Sequence, residues 1–330
     1  MQFPASRKSL LGLLADGDFH SGNDLANALG VSRTAVWNMM RELKALGLGF
    51  NAISGKGYGL SRPFEQLDEA AIRRFLSAAA DAQLGSIEIH DELDSTNSRL
   101  MGLAATSHPK AGAVCLAEFQ TAGRGRAGRV WHSPWGGNVC LSLLWWFDEL
   151  KAFSGLSLAV GVAVARALRG AGVDGVGLKW PNDILWQGRK LGGSLLEVSG
   201  EAHGRYAVVI GIGINVHIPP GHGDSIDQAW VDLDQITLGS PPSRNRLIAL
   251  ILNELLRLLP DFPVRGLQSY IAEWRQWHCQ AGHRAILTLG QQTIRGVVGG
   301  VTDEGLLLLD CDEGGRKSFA SGDLRLRLDD

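Results

Sequence analysis

The chain has 330 residues, 45% hydrophobic and 20% charged, enough for two or three domains that each bury a core. Its 32 basic and 34 acidic side chains leave a net charge of −2, which excludes bulk attraction to nucleic acid or membrane and requires any such binding to come from a local patch. Arginines break the longest apolar runs and the N-terminus turns acidic after one short run, so neither a membrane span nor a secretory signal is expected, and a cytoplasmic location is. Cys115, Cys140, Cys279 and Cys311 are widely separated, with no C-x-x-C pair and no histidine at zinc spacing; free, mostly buried thiols and no metal site are expected.

In HSGNDLANALGVSRTAVWNMMRELKALGL, Ser21 and Asp24 are spaced as a capping box, Gly30 breaks the chain and Ser32 caps a second helix. Val36, Met40 and Leu43 share one face of that helix; Arg33, Thr34, Trp37, Asn38 and Arg41 share the opposite one. Asn38 and Met39 fall where basic or polar readers of DNA would serve better. FNAISGKGYGL then supplies two strand-like arms, a wing that would carry Lys56 to a phosphate. This is the order of a winged helix-turn-helix, expected over residues 1–62, with seven basic residues against four acidic ones. Its expected DNA contacts are Ser32, Arg33, Thr34, Trp37, Asn38, Arg41 and Lys56. Few phosphate contacts mean weak binding by one copy, so a dimer is expected. A lid or protein-interaction module of three helices remains open on these residues alone.

From about residue 65 to 265, strand-like runs (AVCLAEF, NVCLSLLWW, VGLKW, YAVVIGIGINV) alternate with helical ones (EAAIRRFLSAAA, LSLAVGVAVARAL, RLIALILNELLRLL), the pattern of helices packed on a sheet. After the helical GLQSYIAEWRQW, short strands between Gly and Asp turns predict a small β-barrel. The expected domains are 1–62, 65–270 and 271–330.

GRGRAG, Gly123 to Gly128, matches the dinucleotide pattern G-x-G-x-x-G and has Asp148 about twenty residues on. A strand leads into it, but Pro134, Gly136 and Gly137 stand where a helix should follow, so the helix N-terminus that would hold a pyrophosphate is missing. What the segment offers is three guanidinium groups, Arg124, Arg126 and Arg129, on a glycine backbone that can approach an anion closely. Their mutual repulsion predicts a loop that is mobile when empty and orders over an anionic ligand. A solvated basic turn is the other reading of this segment.

Asp94-Ser95-Thr96-Asn97 reads as a strand end and a capped helix. KWPNDI, Lys179 to Ile184, ends a strand; Gly188 to Gly193 reads as a hairpin-like turn carrying Lys190; and GIGIN, Gly211 to Asn215, ends an apolar strand. Polar groups and glycines at the ends of successive strands converge on one anion-binding pocket.

DSTN (94–97), Q-x-x-G-R-G-R-x-G-R-x-W (120–131), KWPND (179–183), RKLGG (189–193) and G-x-G-I-N (211–215), in this order across the whole chain, closely resemble the bacterial biotin protein ligases of the bifunctional kind that also repress the biotin operon. The resemblance implies an α+β multidomain chain: a winged helix-turn-helix, a central mixed-sheet domain similar to class II aminoacyl-tRNA synthetases, and an SH3-like β-barrel. It implies that biotin and ATP, with Mg2+, give biotinyl-5'-AMP, and that biotin then passes to a lysine of the biotin carboxyl carrier protein of acetyl-CoA carboxylase. By the same resemblance Ser95, Thr96, Asn97, Gln120, Arg124, Gly125, Arg126 and Lys190 line the biotin site, and Gly123, Arg124, Arg129, Trp131, Asn182 and Asn215 the nucleotide side. Lys190 and Arg126 act on the reacting carboxylate and phosphate, and Asp183 orients the attacking lysine or a magnesium ion. The adenylate-bound chain would form a homodimer on the operator of biotin-synthesis genes. Ala127 stands where familiar members carry a second basic residue, and Asn38 and Met39 where the familiar repressor has basic ones. A ligase whose winged helix no longer binds DNA, and a biotin-sensing regulator without ligase activity, are the alternatives.

Overall fold

A computed structural model of the chain describes residues 5–200, 204–224, 226–289, 292–321 and 324–328. At the N-terminus α1 (Ala5–Leu14), α2 (Gly22–Leu29) and α3 (Arg33–Ala45) precede a hairpin of β1 (Phe50–Ile53) and β2 (Gly57–Leu60). Ser21 and Ser32 accept the backbone N–H of Asp24 and Ala35, each at 3.1 Å, and Gly30 turns left-handed at φ 65°, as the spacing predicts. Met39 departs from expectation. It is buried with Val36, Met40 and Leu43, because its i+3 spacing from Val36 and i−4 spacing from Leu43 add it to the apolar stripe.

The helix expected over 69–80 is two, α4 (Glu69–Arg73) and α5 (Ala78–Gln83), since Ser77 accepts the N–H of Ala80 at 3.2 Å and starts a new helix. Then follow β3 (Ile87–Leu93), α6 (Thr96–Thr106), β4 (Ala113–Gln120), β5 (Asn138–Phe147), α7 (Leu156–Gly170), β6 (Val176–Lys179), β7 (Asp183–Trp186), β8 (Arg189–Ser199), β9 (Tyr206–Asn215), α8 (Leu233–Ile236), α9 (Arg244–Arg265) and α10 (Ile271–Trp277). Seven strands form one mixed sheet in the order β3-β4-β5-β9-β8-β7-β6. β3 and β4 are parallel, joined by α6; the other neighbours are antiparallel. RKLGG is not a turn as expected. The reversal is made by Gln187 and Gly188, at φ 48° and 77°, which leaves Arg189 to Gly193 in β8. α9 runs past its expected end through Pro260 and Pro263, its last turns held by buried Leu258, Leu259 and Phe262.

Alternation divides the sheet. Val139, Leu141, Leu143, Val208, Ile210 and Ile212 face α7 and α9, while Cys115, Leu144 and Val209 face α6. β10 (Arg284–Leu289), β11 (Gln292–Val301), β12 (Leu307–Cys311), β13 (Gly315–Phe319) and β14 (Leu324–Leu328) form an antiparallel sheet in the order β13-β12-β11-β10-β14. Trp180, which precedes a cis peptide to Pro181, donates its indole N–H to the Gly305 carbonyl at 3.1 Å and ties the two sheets together.

The winged helix is seated on the central sheet by Trp135, which packs into its hydrophobic cluster and donates its backbone N–H to the Leu46 carbonyl at 3.0 Å. Beyond Pro63 the connection is fixed. Glu65 binds Ser243, Arg244 and Asn245, and Arg244 in turn makes a buried 2.7 Å ion pair with Glu118. Of the four thiols, Cys115 and Cys140 are buried and pushed up to about 12 by desolvation, whereas Cys279 is exposed and Cys311 half-buried, so the expectation of mostly buried thiols holds for two.

Candidate active site

The ends of β4, β8 and β9, the start of α6 and the arginine-glycine segment enclose a cavity of about 390 Å3. It brings together Ser95, Thr96, Asn97, Gln120, Arg124, Gly125, Arg126, Arg129, Trp131, Asn182, Lys190 and Asn215, which the sequence scatters over some 120 residues. Gly123 and Asp183 are not among its lining residues. Gly123 forms the stem of the arginine segment, where the Trp131 backbone N–H donates to its carbonyl at 2.9 Å, and Asp183 lies behind Lys190.

The arginine segment is a small hairpin. The N–H of Gly125 donates to the Arg129 carbonyl at 2.7 Å, Arg124 bridges Val130, and Ala127 and Gly128 turn the tip with φ of 52° and 73°. No α-helix follows it, so the dinucleotide match is a false positive on structural grounds as well. Its three arginines have separate partners. Arg124 donates to Glu197 at 2.8 Å, Arg126 reaches Asn182 at 3.5 Å and the Ser321 carbonyl, and Arg129 turns back to the Arg126 carbonyl at 3.4 Å.

On the opposite wall, the period of two in β9 turns Gly211, Gly213 and Asn215 toward the cavity. Gly211 leaves room for the Asn97 amide and Gly213 for the Trp131 indole; a methyl group at either would overlap them. Asn215 accepts from Asn138 at 3.1 Å and donates to the Val231 carbonyl at 3.1 Å, which anchors the segment that brings Trp230 to the cavity. The Thr96 backbone N–H donates to Gln120 Oε1 at 2.9 Å. Ser95 starts α6 without a side-chain cap, so the capping expected there is absent.

Lys190 Nζ lies 2.7 Å from Asp183 Oδ1 and 5.9 Å from the centre of the Trp131 ring, and Lys179 Nζ lies 3.9 Å from Asp183 Oδ2. Burial alone would raise the Asp183 carboxyl, but Lys190, Lys179 and Arg129 together hold it below the ordinary value. Burial lowers the Lys179 ammonium against the pull of Asp183. A cation is thus held at the cavity by an ionised carboxylate beneath it.

Reasoning from motifs missed Ser142, Glu197, Asp227 and Trp230. The one signal for the first two is a polar residue inside an apolar strand, NVCLSLLWW and SLLEV. On the face of the sheet toward α6, the structure also brings Glu88, His90 and Cys115 within 4.8 Å of one another, which no spacing suggested, but Arg99 already holds both Glu88 oxygens, at 2.9 and 3.3 Å. On the winged helix, Ser32, Arg33, Thr34, Trp37, Asn38, Arg41 and Lys56 are all exposed, and the Arg41 guanidinium stacks 4.8 Å from the Trp37 ring. No helix among the described residues is long and apolar enough to cross a membrane.

Comparison with known proteins agrees with this geometry. Residues 90–215 match the Biotin/lipoate A/B protein ligase family, residues 7–59 an HTH domain, and residues 283–327 the Biotin protein ligase C terminal domain. The chain is 37% identical over 319 residues to the bifunctional ligase/repressor BirA of Escherichia coli, covering 96% of each, and 35% identical over 324 residues to that of Bacillus subtilis, covering 97% of this chain and 98% of the other. A solved structure of the biotin protein ligase from Aquifex aeolicus in complex with biotin and ATP is similar with a TM-score of 0.63 at 28% identity, covering 74% of this chain and 99% of that one. The chain belongs to the biotin protein ligase family, and its relatives among the bifunctional ligase/repressors match it over nearly its whole length.

Proposed function

We propose that the cavity joins biotin to ATP, giving biotinyl-5'-AMP and pyrophosphate, and transfers biotin to a lysine of the biotin carboxyl carrier protein of acetyl-CoA carboxylase. The observation that carries this is the Asp183–Lys190 pair, which holds an ammonium group at the edge of a cavity rimmed by Arg124, Arg126 and Arg129. In the first step a carboxylate oxygen attacks the α-phosphorus and pyrophosphate leaves; two anions must meet, and Lys190 and Arg126 offset their charge. In the second step the acceptor amine, having lost its proton, attacks the acyl carbon and AMP leaves. Ser95, Thr96, Asn97, Gln120 and Gly125 form the biotin side, and Gly123, Arg129, Trp131, Asn182 and Asn215 the nucleotide side. Asp183 acts through Lys190, which it holds by Oδ1 at 2.7 Å, while Oδ2 remains to orient the acceptor lysine or a magnesium ion. Magnesium would enter with the nucleotide to offset phosphate charge. Asp227 is the carboxylate that the cavity lining offers it.

The adenylate-bound chain is proposed to form a homodimer in the cytoplasm and to present two winged helices to the operator of biotin-synthesis genes, with domain limits near 1–62, 65–270 and 271–330. The HTH match and the exposed Arg33, Arg41 and Lys56 favour this over a ligase with an idle winged helix, and the intact Lys190 site over a regulator without ligase activity. Lipoate attachment is disfavoured by the match of residues 283–327 to the Biotin protein ligase C terminal domain. Radiolabelled biotin transferred to a carrier domain only when ATP is present, with adenylate formation lost in Lys190→Met, is the expected result. No labelling of the carrier by the wild-type chain would refute the reading.

A further inference from the structure

Glu197 belongs to none of the motifs that mark the cavity, yet it touches two of them. Its Oε2 accepts from Asn97 Nδ2 and from Arg124 Nη2, each at 2.8 Å. We propose that Glu197 is a positioning residue that fixes which way the Asn97 amide faces, and through it the order of donors and acceptors that the wall presents to the ureido ring of biotin. The inference rests on the biotin reading of the cavity.

An ionised carboxylate only accepts hydrogen bonds, so the end of Asn97 that faces it has to be the NH2. Asn97 is 4% exposed, so its amide is held by the protein groups around it. Its other acceptor on that side, the Leu195 carbonyl, is more distant at 3.3 Å. With the amide held this way, Oδ1 faces Ser142, whose hydroxyl donates to it at 2.6 Å. The single Ser142 proton is then committed, and its lone pairs are left for Thr96 Oγ1, 2.7 Å away. Thr96 in turn donates its backbone N–H to Gln120 Oε1 at 2.9 Å, and this donor turns the Gln120 NH2 the other way, toward Gly123.

From Glu197 through Asn97 and Ser142 to Thr96 the chain therefore has one direction, set at the charged end, and the Thr96 backbone N–H orients Gln120 beside it. A ureido group, with one carbonyl and two N–H groups, is distinguished from look-alikes by such an order, since a reversed wall would face donor with donor. The Arg124 arm is more exposed, and as an ion pair it adds little; its part is to join the arginine hairpin to the same carboxylate.

The test uses the full chain as wild type, Glu197→Leu and Glu197→Gln, with biotin binding measured by titration calorimetry and KM for biotin and kcat measured for transfer. Leucine keeps the bulk and removes the acceptor; glutamine supplies a carbonyl that can still accept from Asn97. Losing a hydrogen bond to a charged group predicts about tenfold weaker biotin binding in Glu197→Leu, with KM raised to match and kcat changed by less than about twofold. Glutamine should recover binding to within about threefold of wild type, as a neutral acceptor replaces a charged one. Unchanged binding in Glu197→Leu, a glutamine variant as weak as the leucine one, or equal losses in kcat and binding would each overturn the proposal. Absence of biotin binding by the wild-type chain would instead overturn the reading of the cavity.

Discussion

Along β9 every second residue meets the cavity, and at two of those places the side chain is a hydrogen atom. Alanine at Gly211 would drive its methyl group into the Asn97 amide, and at Gly213 it would come within 2.5 Å of the Trp131 indole. Gly211→Ala is predicted to weaken biotin binding by about tenfold or more through the displaced hydrogen bonds, measured by calorimetry, whereas Gly213→Ala should raise KM for ATP more than KM for biotin. Asp183 gives the second prediction at this scale. Asparagine there would remove the buried carboxylate and leave half-buried Lys190 without its counter-ion, a loss of about 3 kcal/mol of stability at neutral pH as read from denaturant unfolding. Its folded pKa lies below the unfolded value, so the contribution is complete above about pH 3.9 and is lost as pH falls through the folded value. The variant should therefore lose least, relative to wild type, in acid. The motif residues were legible because charge, amide and glycine cluster at strand ends. Ser142 and Glu197 were not, because a lone polar residue in a strand does not say which neighbour it answers until the register is known.

Between residues and whole molecule, the elements that differ from expectation do so where local signals compete. Ser77 reads as one more helical position until it is seen to accept the Ala80 N–H, and RKLGG reads as a turn until Gln187 and Gly188 take the reversal. On α3, Met39 looked like a weak DNA reader and is a core residue. Met39→Ala is thus predicted to lower stability by about 2 kcal/mol while DNA affinity per folded molecule stays unchanged, and Arg41→Ala to lower DNA affinity and the salt dependence of binding with little effect on stability. Gel-shift and melting measurements on the two variants separate these outcomes. The arginine hairpin has its own ladder, but it carries three cations on a glycine-rich backbone. Tryptic cleavage after Arg124, Arg126 and Arg129 is predicted to slow when biotin and ATP are both present; equal cleavage in both states would remove the ordering role.

Across the whole molecule, the winged helix, the mixed sheet and the terminal antiparallel sheet were each readable from capping residues, periodicity and turn chemistry, because these signals are local. How they are joined was not readable. Trp135 in the winged-helix cluster, Glu65 on the start of α9, and Trp180 on the Gly305 carbonyl are contacts between residues far apart in sequence. The first of these also places the segment that follows the arginine hairpin against the winged helix.

The central claim is that one ligand, made in the cavity, serves both catalysis and DNA binding. Its most direct test is binding of the full chain to the promoter region upstream of its own organism's biotin-synthesis genes, at fixed salt, with neither ligand, with biotin alone, with ATP alone and with both. The account predicts tight binding only when biotin and ATP are present together, and its loss in Lys190→Met. Equal binding in all four conditions, or none in any while biotin is still transferred to a carrier domain, would contradict it.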